Sequence, residues 1–373
     1  CYECYDDASL TMGTLTIADN RLSAIGTDAI KVAIDEVGYS VDPGVTIDIG
    51  DAQSGYAVII QDNTVDGCGD DGIYGYAYIS APDNTTMGRF GIFSNTVAAC
   101  ANGIRLGTMH PGAEIANNQV TDSTSTGLLL ATAGADVVDV AGNTVASSSL
   151  TDTVGIQVNR GQVNLAATTV TNHATSIYNN GGLITATATL TASNDLVQQS
   201  GAFMAQTSAL AVGGNLVLTG GDFYAPAGLE LTGIFTHTGG TYHQTRGVDG
   251  SSDVGFPKAG GLILNANGSD LGSTEVTITA GAQCSGATDS VAHCYVITPT
   301  NTIDRDAIAT FYYSASEVPA RQYCPTMDAY RWDGTWDNGL ANFGQQCDAS
   351  PYAVSVRGLD SFGAFALKST LPV

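Results

Sequence analysis

Asparagine followed two residues later by valine recurs down the first half of the chain. The copies are Asn63-Thr-Val65, Asn95-Thr-Val97, Asn118-Gln-Val120 and Asn143-Thr-Val145, at steps of 32, 23 and 25 residues. Each is followed 8 to 12 residues later by glycine and an apolar pair or a close variant: Gly72-Ile-Tyr74, Gly103-Ile-Arg-Leu106, Gly127-Leu-Leu-Leu130 and Gly155-Ile-Gln-Val158. A weaker copy precedes them (Asn20-Arg-Leu22, then Ala29-Ile-Lys-Val32), and another follows (Thr168-Thr-Val170, then Ser176-Ile-Tyr178). A repeat of this length cannot bury its own apolar face, so its copies must stack. The unit reads strand, turn, strand, with no helical stretch, which predicts the coils of a parallel β-helix.

The register of those coils makes further predictions. Asn20, Asn63, Asn95, Asn118 and Asn143 should stack as a ladder whose amides satisfy turn backbone. Val65, Val97, Val120, Val145 and Val170 should form an inward apolar column. Cys68 and Cys100 each lie five residues after a ladder asparagine. Stacked strands are about 4.8 Å apart, within the roughly 4.4–6.8 Å between Cα atoms that a disulfide accepts. A Cys68–Cys100 bridge is therefore expected, against the alternative of two buried thiols on one ladder.

The eight cysteines are even in number and carry no haem signature, which points to disulfides and an oxidising compartment. Cys284 and Cys294 flank a short hairpin-like segment, Cys324 and Cys347 flank a tryptophan-bearing loop, and each is expected to pair in that order. Cys1 and Cys4 bridge each other or reach a neighbouring molecule. Zinc is the competing reading, but the cysteines are scattered and only His293 adjoins one. The chain opens at Cys1 rather than Met, so a leader or longer N-terminal part is expected before it, an acylated lipoprotein cysteine being the alternative.

Charge excludes several functions. Twelve basic residues against 36 acidic ones leave −24, with no basic stripe of the kind nucleic acid requires. Anionic membranes and acidic polysaccharides are disfavoured by the same charge. No run of 18 apolar residues exists, so no membrane span is expected. The sequence divides into a capping segment (1–16), a parallel β-helix (17–246) with longer excursions at 36–56 and 76–90, a Gly/Asp/Ser/Pro linker (247–261), and a C-terminal β-sandwich (262–373). Both ends are expected to be tied down by contacts or bridges.

The Asn-x-Val and Gly-Ile-x-Val cadence resembles the right-handed parallel β-helix proteins of the pectate-lyase-like superfamily. The last 110 residues are similar to a small β-domain found near the C-termini of large bacterial cell-surface proteins. That likeness rests on Asp304-Arg-Asp-Ala-Ile-Ala-Thr-Phe311, Tyr330-Arg-Trp-Asp-Gly-Thr-Trp336 and Ser361-Phe-Gly-Ala-Phe-Ala-Leu367. The resemblance implies an all-β fold and leaves function open, since adhesins, filament subunits, lyases and hydrolases share it.

Polygalacturonase-like members of that superfamily hydrolyse with grouped aspartates, and Gly69-Asp70-Asp71-Gly72 superficially matches their element. The Gly-His-Gly and Arg-x-Lys elements that accompany it there do not follow here. Asp70, Asp71 and Arg105 are thus candidate catalytic residues beside the reading of solvated turn aspartates. Lyase chemistry would add calcium, for which Asp62, Asp66, Asp70 and Asp71 are the candidate ligands, with Arg89 and Arg105 as bases. His237 and His243 form a conceivable metal pair without a third ligand. Tyr74, Tyr76 and Tyr78 form a candidate contact patch for protein or sugar. Asn84 and Asn267 match the glycosylation pattern.

These readings favour a non-enzymatic, secreted or surface-displayed structural protein. It would need no cofactor, calcium excepted, and would partner itself in a head-to-tail homopolymer, with surface glycans as adhesive targets. The rivals are a polysaccharide lyase or hydrolase and a monomeric glycan-binding adhesin.

Overall fold

The computed structural model describes residues 9–37, 46–51, 54–79, 85–109, 112–132, 136–257, 261–302, 305–320, 322–337 and 340–371. Cys1, Cys4 and Asn84 lie outside them, as do both ends of the chain. Nearly all the regular structure of the described residues is strand, with two short 3-10 turns, and among them no helix is long and apolar enough to cross a membrane. By its contacts the chain divides into two units, the boundary falling at Gly213/Gly214 apart from two short exchanges (198–200 and 204–206).

In the first unit, strands one coil apart pair in parallel and in register. The second strand of each coil aligns Leu22, Val65, Val97, Val120, Val145, Val170, Ala192 and Val212 in one row. The third aligns Ile30, Ile73, Ile104, Leu128, Ile156 and Ile177. The first aligns Ile17, Ile60, Ile92, Ile115, Val140, Leu165 and Ala186. From Ile60, Val65 and Ile73 onward these residues are buried, so three apolar columns make one continuous β-helix-like core.

The corners explain the conserved cadence of the repeat within this chain. The residue before each ladder position takes a left-handed conformation: Asp19 (φ 57°), Asp62 (55°), Ser94 (54°), Asn117 (58°), Gly142 (66°) and Ala167 (46°). The backbone groups turned inward there are met by the asparagines. Asn63 donates its backbone N–H and Nδ2 to Asn95 Oδ1 at 3.0 and 2.9 Å, and Asn95 does the same to Asn118 Oδ1 at 2.9 and 3.0 Å. Asn118 repeats this on Asn143 Oδ1, at 2.9 Å for each bond.

The recurring glycines serve packing. A Cβ on Gly72, Gly103, Gly127 or Gly155 would stand 2.2–2.3 Å from the Cγ1 of Val97, Val120, Val145 or Val170, the ladder valine of the next coil. The two halves of the sequence repeat therefore meet across the coil boundary. The excursions expected at 36–56 and 76–90 are partly regular. Ser9–Met12, Thr46–Ile49 and Thr85–Met87 form a small parallel sheet, burying Ile47, Ile49 and Met87.

The second unit begins with two parallel pairs, Leu216–Leu218 on Phe235–His237 and Asp222–Ala225 on residues 241–244. Pairing then turns antiparallel. The strand Gly240–Gly250 lies along Ser269–Ala280, followed by His293–Pro299, Gly363–Ser369 and Met327–Trp332. A five-stranded sheet contains Val254–Phe256, Leu262–Asn265, Ala307–Tyr313, Tyr352–Leu359 and Ala341–Gln346. The two sheets meet through Phe311, whose ring centroid is 5.1 Å from Tyr295 and 5.3 Å from Phe365.

The linker expected at 247–261 is a correction. Residues 247–250 and 254–256 are strand, because ladder hydrogen bonds to neighbouring strands outweigh a loop-like composition.

Candidate functional site

The third strands of the coils carry the candidate residues. Alternate residues of a strand share a face, so Tyr74 and Tyr76 of Asp71–Ile79 point outward together while Ile73 and Ala77 are buried. Parallel register sets Lys31, Tyr74, Arg105, Leu129, Gln157 and Tyr178 in one outward row. Lys31 Nζ and Arg105 Cζ each lie 5.1 Å from the centroid of the Tyr74 ring, so the phenol sits between two cations.

Next to this row is a second one, Asp28 on Asp71 on Asn102 on Thr126. Asp71 is 1% exposed. Its Oδ1 accepts from Asn102 Nδ2 at 2.9 Å, its Oδ2 lies 3.4 Å from Arg105 Nη1, and its backbone N–H donates to Asp28 Oδ1 at 3.3 Å. Asp28 is itself paired with Lys31 at 3.3 Å. Burial pushes the Asp71 carboxyl above the usual carboxylate range. The Asn102 hydrogen bond and the Arg105 charge oppose that, and Asp70 and Asp28 add to it.

Asp28, Asp70 and Asp71 bring carboxylate oxygens within 4.8 Å of one another. The arrangement thus joins three of the sequence candidates, Asp70, Asp71 and Arg105, and adds Asp28 and Asn102. Asp62 and Asp66 do not join it: Asp62 is a left-handed corner residue and Asp66 pairs with Ala98 on the second strand. The four-aspartate calcium set is corrected accordingly. An oxygen-only set of Asp28, Asp70 and Asp71 suits a hard cation such as calcium in principle, and Asp71 also accepts from Asn102 and faces Arg105. Arg89 lies on the first strands, 2.6 Å from Asp139.

Beyond Asp71 the same face opens into a groove of about 380 Å³, lined by Tyr74, Tyr76, Arg105, Leu129, Asn159 and Arg160 among others. Gly107 keeps it open, since a Cβ there would stand 2.8 Å from Tyr76 Cδ2 and 3.1 Å from the Tyr74 hydroxyl. Tyr78, further along the strand, is 39% exposed. Glycosidic hydrolysis needs two carboxyls about 5 Å or more apart on either side of a sugar. The aspartates here form one tight group beside the groove, with Asp71 covered.

Cys68 is joined to Cys100 across one coil step, with Cα atoms 4.6 Å apart. Cys284 is joined to Cys294 and Cys324 to Cys347. Three disulfides fit an extracellular or surface protein. Asn267 stands in an exposed turn and its Nδ2 donates to Asp306 Oδ2 at 3.0 Å. His243 stacks on Tyr224 at 4.3 Å, while His237 is buried and faces His293 at 5.2 Å. The two therefore do not pair as metal ligands, because they lie on strands with different neighbours. His293 Nδ1 is 2.7 Å from Glu317 Oε1, a buried cluster that no local sequence signal marks.

No protein-family model matches the sequence, and no curated protein matches it. A solved structure that does match is the tailspike protein Dettilon gp208, with 11% identity over 96% of this chain and 86% of that one, and a TM-score of 0.26. A score that low carries no argument, and the fold described above rests on the strand pairing alone.

Proposed function

We propose that this chain is a non-enzymatic extracellular structural protein, a right-handed parallel β-helix followed by a C-terminal β-sandwich, which assembles with its own copies head to tail. Among the described residues the first-coil strands Leu15–Ala18, Arg21–Ile25 and Ile30–Val37 pair on one side only, and this carries the reading. Leu15 is the register partner of Val58, yet Leu15 is 48% exposed and Val58 only 1%. Asn20 donates its backbone N–H and its Nδ2 to Asn63 Oδ1, and its Nδ2 to Ala18 O as well. Among the described residues no donor reaches Asn20 Oδ1 in return. An unpaired ladder end of this kind is a template for another strand.

The ladder's polarity selects the partner surface. Two copies meeting first coil to first coil would bring acceptor against acceptor at Asn20. The surface that fits must supply donors, so it is a different part of the second copy. Ala341–Gln346 qualifies: all six residues are exposed, and among the described residues it pairs only with Tyr352–Leu359. Contacts between unlike surfaces need not close, and they propagate a fibre. Electron microscopy of the purified protein at rising concentration tests the reading. End-to-end chains support it, and uniform single particles at every concentration refute it.

The groove beside Tyr74 favours a second reading, adhesion to surface glycans. Aromatic rings flanked by arginines offer stacking and hydrogen-bond donors to sugar. Activity on uronic-acid polymers, with and without calcium, separates this from the enzymatic alternative, which alone predicts turnover.

A further inference from the structure

His237 and His293 adjoin inside the second unit, with ring centroids 5.2 Å apart and planes at 81°. Both are buried, at 6% and 2% exposed. Aromatic rings pack against them: Phe235 lies 5.3 Å from His237, and Tyr295 stacks 5.7 Å from His293. Each imidazole sets one nitrogen against an oxygen. His237 Nε2 is 3.1 Å from Gly240 O, and His293 Nδ1 is 2.7 Å from Glu317 Oε1, the latter without the alignment of a hydrogen bond. The other two nitrogens, His237 Nδ1 and His293 Nε2, meet no hydrogen-bond partner among the described residues.

Burying two such nitrogens side by side is costly unless a further group meets them. Histidines that hold a metal share this arrangement: a carboxylate or backbone carbonyl orients one ring nitrogen, and the other turns to the ion. His173 Nε2 also lacks a partner, but it lies in the first unit with no second histidine beside it among the described residues.

We propose that His237 Nδ1 and His293 Nε2 together hold one monovalent copper ion. Two nitrogen donors are too few for zinc or calcium, which take four ligands or more. Imidazole suits copper, and copper(I) binds two donors in a line. Charge points the same way. The cost of desolvation rises with the square of the charge, so an aromatic enclosure admits one positive charge far more readily than two, and the Glu317 carboxylate balances one. Linear coordination with metal–nitrogen bonds of about 2 Å sets the ring centres roughly 6 Å apart, so seating the ion parts the rings by about 1 Å. Burial, with His293 next, holds His237 down to about 3 despite the bond to Gly240 O, so protons compete little for its nitrogen near neutral pH. The ion joins the strand Phe235–His237 to His293–Pro299 and, through Glu317, to the 3-10 turn Ala315–Glu317. Glu317 also lines a cleft of about 460 Å³, which gives the ion a route inward.

The full chain is titrated anaerobically with copper(I) in competition with bicinchoninate, a coloured copper(I) chelator. Wild type is expected to hold one more equivalent than His237→Gln or His293→Gln, while His243→Gln matches wild type. These proteins all keep every cysteine, so the difference reports the imidazoles. Zinc(II) in excess should displace none of the bound copper. Silver(I), a redox-inert stand-in, should shift one imidazole nitrogen in each of two histidines in long-range proton–nitrogen spectra of the unaltered chain, a readout that needs no variant to fold. Equal copper content in wild type and either His237→Gln or His293→Gln, displacement by zinc, or histidine signals indifferent to silver overturns the proposal.

Discussion

Gly127 lies so close to Val145 of the following coil that a Cβ on it would stand 2.2 Å from Val145 Cγ1 and 2.6 Å from Gly155 O. Backbone oxygen cannot move aside as a side-chain tip can. Gly127→Ala is therefore expected to cost about 2–3 kcal/mol or more. Gly26→Ala, where nothing stands within 4 Å, should cost less than about 1 kcal/mol. Urea unfolding of the two variants compares them.

The asparagine ladder should be energetically graded. Asn95 is 1% exposed, donates to Ile60 O and Asn118 Oδ1, and accepts from Asn63. Asn95→Ala strands several buried groups and is expected to cost about 3–5 kcal/mol, at about 1–3 kcal/mol for each orphaned one. Asn20→Ala at the exposed end should cost about 1 kcal/mol. Equal effects at both positions would contradict a directional ladder.

Replacing both Cys68 and Cys100 by serine opens a loop of 32 residues. Chain entropy alone puts the loss near 3–4 kcal/mol. Peptide mapping without reductant should recover the linked pair from wild type, and thermal unfolding should show the loss only under non-reducing conditions.

Acid should destabilise the protein through its buried histidines. Burial, with the neighbouring His293 charge next, holds His237 down to about 3 from an unfolded value near 6.5, and a hydrogen bond to Gly240 O only partly offsets this. The unfolded chain thus takes up a proton that the folded one refuses. The His237 contribution is complete above pH 6.5 and declines as pH falls toward 3, at about 1.4 kcal/mol per pH unit. His173 and His243 are lowered by burial and act in the same direction. Asp71, raised by burial, acts oppositely and recovers stability as pH falls. His237→Gln should flatten the profile between pH 6 and 4, read by denaturant titration at each pH.

The core columns and the Cys68–Cys100 neighbourhood were legible because parallel stacking converts one repeat step into one strand spacing. Val65, Val97 and Val120 share a slot in sequence and in space for the same reason. Asp28 was hidden, although it occupies the Asp71 slot. An insertion lengthens its coil to the 43 residues separating Asn20 from Asn63. His237, His293 and Glu317 sit on elements far apart in the chain and meet only through tertiary pairing. The strand at 247–250 was hidden by glycine and aspartate, which the partner strand Ser269–Ala280 overrules.

Sedimentation of the full chain over a hundredfold concentration range, with Leu15→Asp beside it, tests the assembly most directly. Wild type should sediment as species that grow with concentration, while the variant, with a charge placed on the open coil, should remain at the 38.2 kDa of one chain. A wild-type protein that stays at that mass throughout, or a variant that assembles equally well, would contradict the account.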